Sequence, residues 1–109
     1  MKDIRQKLLA TFQIEHRDHV EQIRALLAMT AGPAGLEEAF RRAHSLKGAA
    51  RAVDLRPVEG LAHLLETMFS RVRQGSLALD QEVIGIAQQA LDASEDCVAA
   101  MDESGETEG

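Results

Sequence analysis

The residues best equipped for chemistry lie in one short segment, "FRRAHSLKGAARAV", Phe40 to Val53, which carries His44, Lys47 and Gly48. A neutral imidazole is a nucleophile able to carry a transferred group. A phosphoryl group is the natural cargo here, because Lys47, with Arg41 or Arg51, supplies cations against its roughly two negative charges and strong acceptor oxygens. Gly48 sits where a helix interior is expected, at a cost of about 1 kcal/mol relative to alanine. Three- and four-residue steps return to one side of a helix, so Arg41, His44, Gly48 and Arg51 share a face. Glycine on that face clears the approach to the imidazole, which a bulky side chain would crowd.

A second segment complements the first. His63 and Glu66 are three residues apart, on a different face from Leu61, Leu65, Met68 and Val72. If the two helices pack antiparallel, Glu66 reaches His44. A carboxylate on one ring nitrogen fixes the tautomer and leaves the other lone pair free for attack. Nδ1–H then points at Glu66, and Nε2 is the atom that takes the phosphoryl group. Each residue also has a plainer reading: His44 as an exposed histidine on a solvated basic face, Glu66 as a surface carboxylate, His63 as a partly buried, satisfied ring.

Four helices are needed to position these groups. The first is predicted from Lys2 to Met29, with Ile4, Leu8, Phe12, His19, Ile23 and Leu26 as its apolar stripe and one longer step across Glu15. "TAGPAG", Thr30 to Gly35, reads as a break. The second helix spans Leu36 to Val53, with Leu36, Phe40, Ala43, Leu46, Ala50 and Val53 inward. Pro57 suits a first helical turn, and the third helix runs on to about Gln74, closed by Gly75 in a left-handed conformation. Asp80 is the expected N-cap of the fourth, which carries Val83, Ile84, Ala87, Ala90, Leu91, Val98 and Met101. Short links force neighbours antiparallel, so the fold expected is an all-α, antiparallel up-down four-helix bundle over residues 1–101. The acidic, apolar-free stretch 102–109 is expected to be a flexible tail or linker, and with it the chain reads as a domain excised from a longer protein.

Composition narrows the chemistry. The chain has 109 residues, no Trp or Tyr, and aliphatic side chains that suit helix packing. A formal charge of -6 argues against nucleic acid as partner. The single cysteine, Cys97, excludes an internal disulfide and reads as a small core residue. The absence of a long apolar run implies no membrane span and a cytoplasmic domain, expected to be monomeric. "EHRDH", Glu15 to His19, places His16 and His19 three apart, but no further ligands complete a metal site, and His19 falls on the apolar stripe. No P-loop or glycine-rich nucleotide motif is present, so the domain itself is not expected to bind ATP or any other cofactor.

The motif "AHSLKGAA" resembles the phosphoacceptor signature of histidine-containing phosphotransfer (HPt) domains, H-x-[LI]-K-G-[small]. With "HLLE" in the next helix, "VRQG" and an acid-capped last helix, the pattern resembles the N-terminal HPt domain of CheA-type chemotaxis histidine kinases. The resemblance implies a four-helix bundle phosphorylated at His44, with Lys47 and Gly48 as the motif's lysine and glycine, and His63 and Glu66 as its hydrogen-bonding pair. It implies a histidine-kinase catalytic domain, which holds ATP, as donor, and a response-regulator receiver aspartate with Mg²⁺ as acceptor. Ala49 and Arg51 stand where such sequences often have glycine, which makes Arg51, with Arg41, a candidate for partner contact. The chain also ends before the extra C-terminal helix of many CheA-type HPt domains. Two rivals are a non-phosphorylatable helical interaction bundle and a metal-binding bundle using His16, His19, His44 and His63.

Overall fold

The computed structural model describes residues 2–29 and 32–101, the side chains of residues 2 and 3 excepted. The expected acidic tail, 102–109, lies outside the described residues, as do Thr30 and Ala31 of the first break. The described chain forms four helices and no strand: α1 (Lys2–Ala28), α2 (Pro33–Ala52), α3 (Arg56–Arg73) and α4 (Gln81–Ala99). Each helix packs against two neighbours, in the cycle α1–α2–α3–α4. Side-chain pairs fix the directions: His44 meets Glu66 and Glu37 meets Arg73, so α2 and α3 run antiparallel. Arg24 meets Gln88 while His16 meets Ser94, which sets α1 against α4 in the same way.

The sequence marks where α2 to α4 start and stop. Pro33 does not belong to a loop, as expected above, but opens α2 in its first turn, where its missing N–H leaves no bond unmade. At the α2–α3 corner Asp54 adopts a left-handed conformation, φ 58°, which a short polar side chain tolerates. Its N–H donates to the Arg51 carbonyl and the Leu55 N–H to that of Ala50, so the orphan carbonyls of α2 are satisfied. Gly75, φ 83°, closes α3 by the same pair of bonds, to Val72 and Arg71. Asp80 caps α4 by accepting from the Val83 N–H at 3.0 Å.

The core has two apolar clusters. One joins Val20, Ile23, Leu27, Ala39, Ala43, Leu65, Phe69, Ala87 and Leu91; the other joins Leu9, Phe12, Leu46, Ala50, Val53, Leu55, Val58 and Ala62. Phe12, Phe69, Ile23, Leu46, Leu65 and Leu91 are fully buried, and each such side chain contributes about 1.5–3 kcal/mol by leaving water. Cys97 is half-buried against the second cluster.

In α1 the buried stripe differs from the predicted one. It is Leu9, Phe12, His16, Val20, Ile23 and Leu27, whereas Ile4 and Leu8 are exposed and His19 is half-buried. The longer step across Glu15 was the symptom: three- and four-residue steps run unbroken once His16 is admitted to the core. His16 is only 4% exposed and its Nε2 shares a 2.7 Å hydrogen bond with Ser94 Oγ, itself buried. A buried polar ring is tolerated because that partner, supplied by α4, satisfies it.

Candidate functional site

The α2–α3 pairing decides what stands beside His44. Ala43, Leu46 and Ala50 are buried, which turns positions 41, 44, 48 and 51 outward, and all four are exposed. On α3, Ala62, Leu65 and Phe69 occupy the core and leave Glu66 on the shoulder that faces α2. Its side chain is 13% exposed, against 64% for His44.

One carboxylate holds two side chains of α2. His44 Nδ1 is hydrogen-bonded to Glu66 Oε2, and Lys47 Nζ donates to Glu66 Oε1 at 2.6 Å. Desolvation pushes the Glu66 carboxyl up, but the hydrogen bonds from Lys47 and His44 and the charges behind them outweigh it. The group is held below the ordinary carboxylate range. An ionised carboxylate only accepts, so Nδ1 carries a proton. In the neutral ring the lone pair is then on Nε2, which has no hydrogen bond among the described residues.

A third contact, unpredicted, comes from Phe40. Its ring stacks on the His44 imidazole from one turn earlier in α2, with centroids 6.5 Å apart and 16° between planes. The Arg73 guanidinium lies 4.1 Å from the Phe40 centroid and pairs with Glu37 at 2.9 Å, a cation–π contact that fixes the ring under the histidine. An aromatic four residues before a histidine is the available signal, though the apolar periodicity assigns Phe40 to the core stripe alone.

The remaining candidates are distributed around this centre. Gly48 is exposed, and a Cβ built there meets nothing within 4 Å. Packing therefore does not demand glycine, and an added methyl would not touch the imidazole; only a longer side chain could reach the approach to His44. Lys47 is not a free cation awaiting an anion, since it is bound to Glu66. Arg41 is paired with Glu38 at 2.9 Å, whereas Arg51 is exposed with no ion pair among the described residues. His63, expected beside Glu66, is exposed on α3 and has no hydrogen bond or ion pair among the described residues.

The four histidines occupy separate surroundings: His16 on Ser94, His19 beside Arg42 at 3.4 Å, His44 on Glu66, His63 in solvent. Among the described residues no three His, Cys, Asp or Glu side chains gather as a metal site. No described helix is long and apolar enough to cross a membrane.

The sequence model of the family described as Hpt domain matches residues 7–103. Among curated proteins the chain is similar to the chemotaxis protein CheA of Treponema pallidum, 30% identical over 91 residues, covering 80% of this chain and 11% of the relative. It is 29% identical to CheA of Halobacterium salinarum over 104 residues, 92% of this chain and 16% of the relative. For CheA of Bacillus subtilis the figures are 28% over 102 residues, 90% and 15%. The chain thus spans a sixth or less of the length of these relatives. No solved structure matches it.

Proposed function

The chain belongs to the Hpt domain family, phosphotransfer modules of two-component signalling, and from that premise we propose that His44 is its phosphoacceptor. The observation that carries this reading is the Glu66 carboxylate on Nδ1 of an imidazole whose other nitrogen has no partner among the described residues. Nε2 attacks the γ-phosphorus of ATP held by a histidine-kinase catalytic domain: the N–P bond forms, the bond to the β-phosphate oxygen breaks, and ADP leaves. In the second step a receiver aspartate attacks the same phosphorus with Mg²⁺ on the receiver balancing charge. The P–N bond breaks and its electron pair returns to Nε2.

Each neighbour has a defined part in this scheme. Glu66 orients the ring and stabilises the positive charge that the ring gains as Nε2 attacks. Lys47 neutralises Glu66, whose charge would otherwise oppose the incoming phosphoryl group, and Phe40 fixes the plane of the ring. Gly48 keeps the approach open to a partner domain. The domain lends a positioned nucleophile and no ATP site of its own, and the parent is a CheA-type or hybrid histidine kinase with the bundle over residues 1–101.

Incubation with a CheA-type kinase catalytic domain and γ-labelled ATP tests the assignment. Acid-labile label is expected on the wild type and none on His44→Gln. Label that persists in the variant, or a wild type that takes none, overturns it, the latter in favour of a bundle that only binds.

A further inference from the structure

Charge is distributed unevenly over this acidic domain. Residues 33–74, which carry α2 and α3, hold seven Lys or Arg against five Asp or Glu; residues 2–28 hold five against four, and residues 80–109 none against nine. The hairpin bearing His44 is therefore net +2 in a protein of net -6. Most of its cations are already committed: Arg41 and Arg42 to Glu38, Lys47 to Glu66, Arg56 to Asp54 and Arg73 to Glu37.

Two are not. Arg51 and Arg71 are exposed, and no acidic group among the described residues lies within ion-pairing distance of either. Arg51 lies on the His44 face of α2, about 10 Å along the helix axis towards its C-terminus. Arg71 projects from the outer side of α3, about 8 Å beyond Glu66. Because α3 runs antiparallel, that displacement is towards the other end of α2. Arg71 also rims an open cleft of about 330 Å³ together with Phe40, Glu66, Thr67 and Ser70. Two guanidinium groups unpaired among the described residues thus stand to opposite sides of His44 along the helix axes, Arg71 about 140° around α3 from Glu66 and reaching the hairpin's outer face by the cleft it rims.

We propose that Arg51 and Arg71 form a two-point electrostatic clamp that docks the receiver over His44. This rests on the phosphotransfer reading, which makes the partner an acceptor carboxylate flanked by the further carboxylates that hold its Mg²⁺, an acidic face. A net-positive hairpin attracts such a face, and α4, which has no Lys or Arg against four Asp or Glu, repels it, so the field orients the encounter as well as accelerating it. The guanidinium forks then bond acidic groups at the rim of the receiver's site.

The test uses the receiver domain, among those the organism encodes, that takes the phosphoryl group fastest from the labelled wild-type domain. The second-order rate of transfer is measured at about 30 mM and about 300 mM salt for wild type, Arg51→Glu, Arg71→Glu and Arg17→Glu. Arg17 is exposed on α1, so its reversal changes net charge equally but away from His44. Each clamp variant is expected to lose about tenfold at low salt, with the loss shrinking at high salt, while Arg17→Glu stays near wild type. Clamp variants that match Arg17→Glu at both salts overturn the clamp and leave His44 as donor. A wild type that takes no label overturns both. Circular dichroism confirms that the exposed substitutions leave the helices intact.

Discussion

His44 Nδ1 is hydrogen-bonded to Glu66 Oε2, and the opposite oxygen of that carboxylate accepts from Lys47 Nζ at 2.6 Å. A single buried-edge carboxylate of α3 therefore fixes both side chains of the α2 motif. This divides the imidazole into an anchored nitrogen and a free one, and the variants below separate anchoring from nucleophilicity.

Glu66→Ala removes the anchor while leaving His44 in place. Phosphorylation of His44 is expected to slow by about 10- to 100-fold, the range for loss of an orienting or proton-handling group. The ¹⁵N chemical shifts of the ring should show its Nδ1-protonated tautomer giving way to a mixture. An unchanged rate with unchanged shifts would remove Glu66 from the site.

Gly48 separates stability from access. A Cβ there meets nothing within 4 Å, so Gly48→Ala is expected to stabilise the domain by about 1 kcal/mol through helix propensity, read as a higher midpoint in urea. Its phosphotransfer rate should stay near wild type, because the methyl does not reach the imidazole. Gly48→Gln should fold equally well and transfer more slowly. If it transfers at the wild-type rate, the glycine is not there for access.

The His16–Ser94 bond predicts a pH dependence. Burial lowers the His16 pKa below its ordinary 6.5, with Glu95 opposing and His19 adding to the shift. The unfolded chain therefore binds more protons, and stability rises with pH. The contribution is full above about 6.5 and is lost as pH falls through the lower folded value. His19, also lowered by burial and by Arg42 against Asp18, Glu15 and Glu38, acts in the same direction. Thermal midpoints should fall on acidification below pH 6.5, less so in His16→Gln. The carboxylate of Glu66 adds a separate loss, which begins below its ordinary 4.5.

Asp80→Ala tests the one side-chain cap among the described helix starts. Loss of the bond to the Val83 N–H should cost about 1 kcal/mol. Urea unfolding measures it, and phosphorylation of His44, on the α2–α3 half of the bundle, should be unaffected.

Much of this protein was legible in the order of its residues because the signals are local. Pro57, Gly75 and Asp80 mark helix boundaries through their own backbone and side-chain chemistry, whereas Pro33, expected in the break, opens α2. The core stripe of α2 turns His44 and Gly48 outward whatever lies opposite. Glu66 was found from its three-residue spacing and the antiparallel hairpin, and the same reasoning placed His63 beside it. His63 instead stands in solvent, because a three-residue step turns the side chain about 60° around α3, away from the edge that meets α2.

What the sequence could not decide was which polar groups find partners across the bundle. His16 is absent from the predicted apolar stripe, and it sits in the core because Ser94, seventy-eight residues away, supplies its hydrogen bond. Lys47 looked like a free cation until Glu66 took it, and Arg41 until Glu38 did, while Arg51 and Arg71 have no ion pair among the described residues. Helix periodicity is written in each segment, and so are the fold and the outward placement of His44. Pairing of charges and hydrogen bonds is a property of facing surfaces. Only the packed tertiary structure decided that Ser94 satisfies His16, that Glu66 takes Lys47 as well as His44, and which cations remain for a partner.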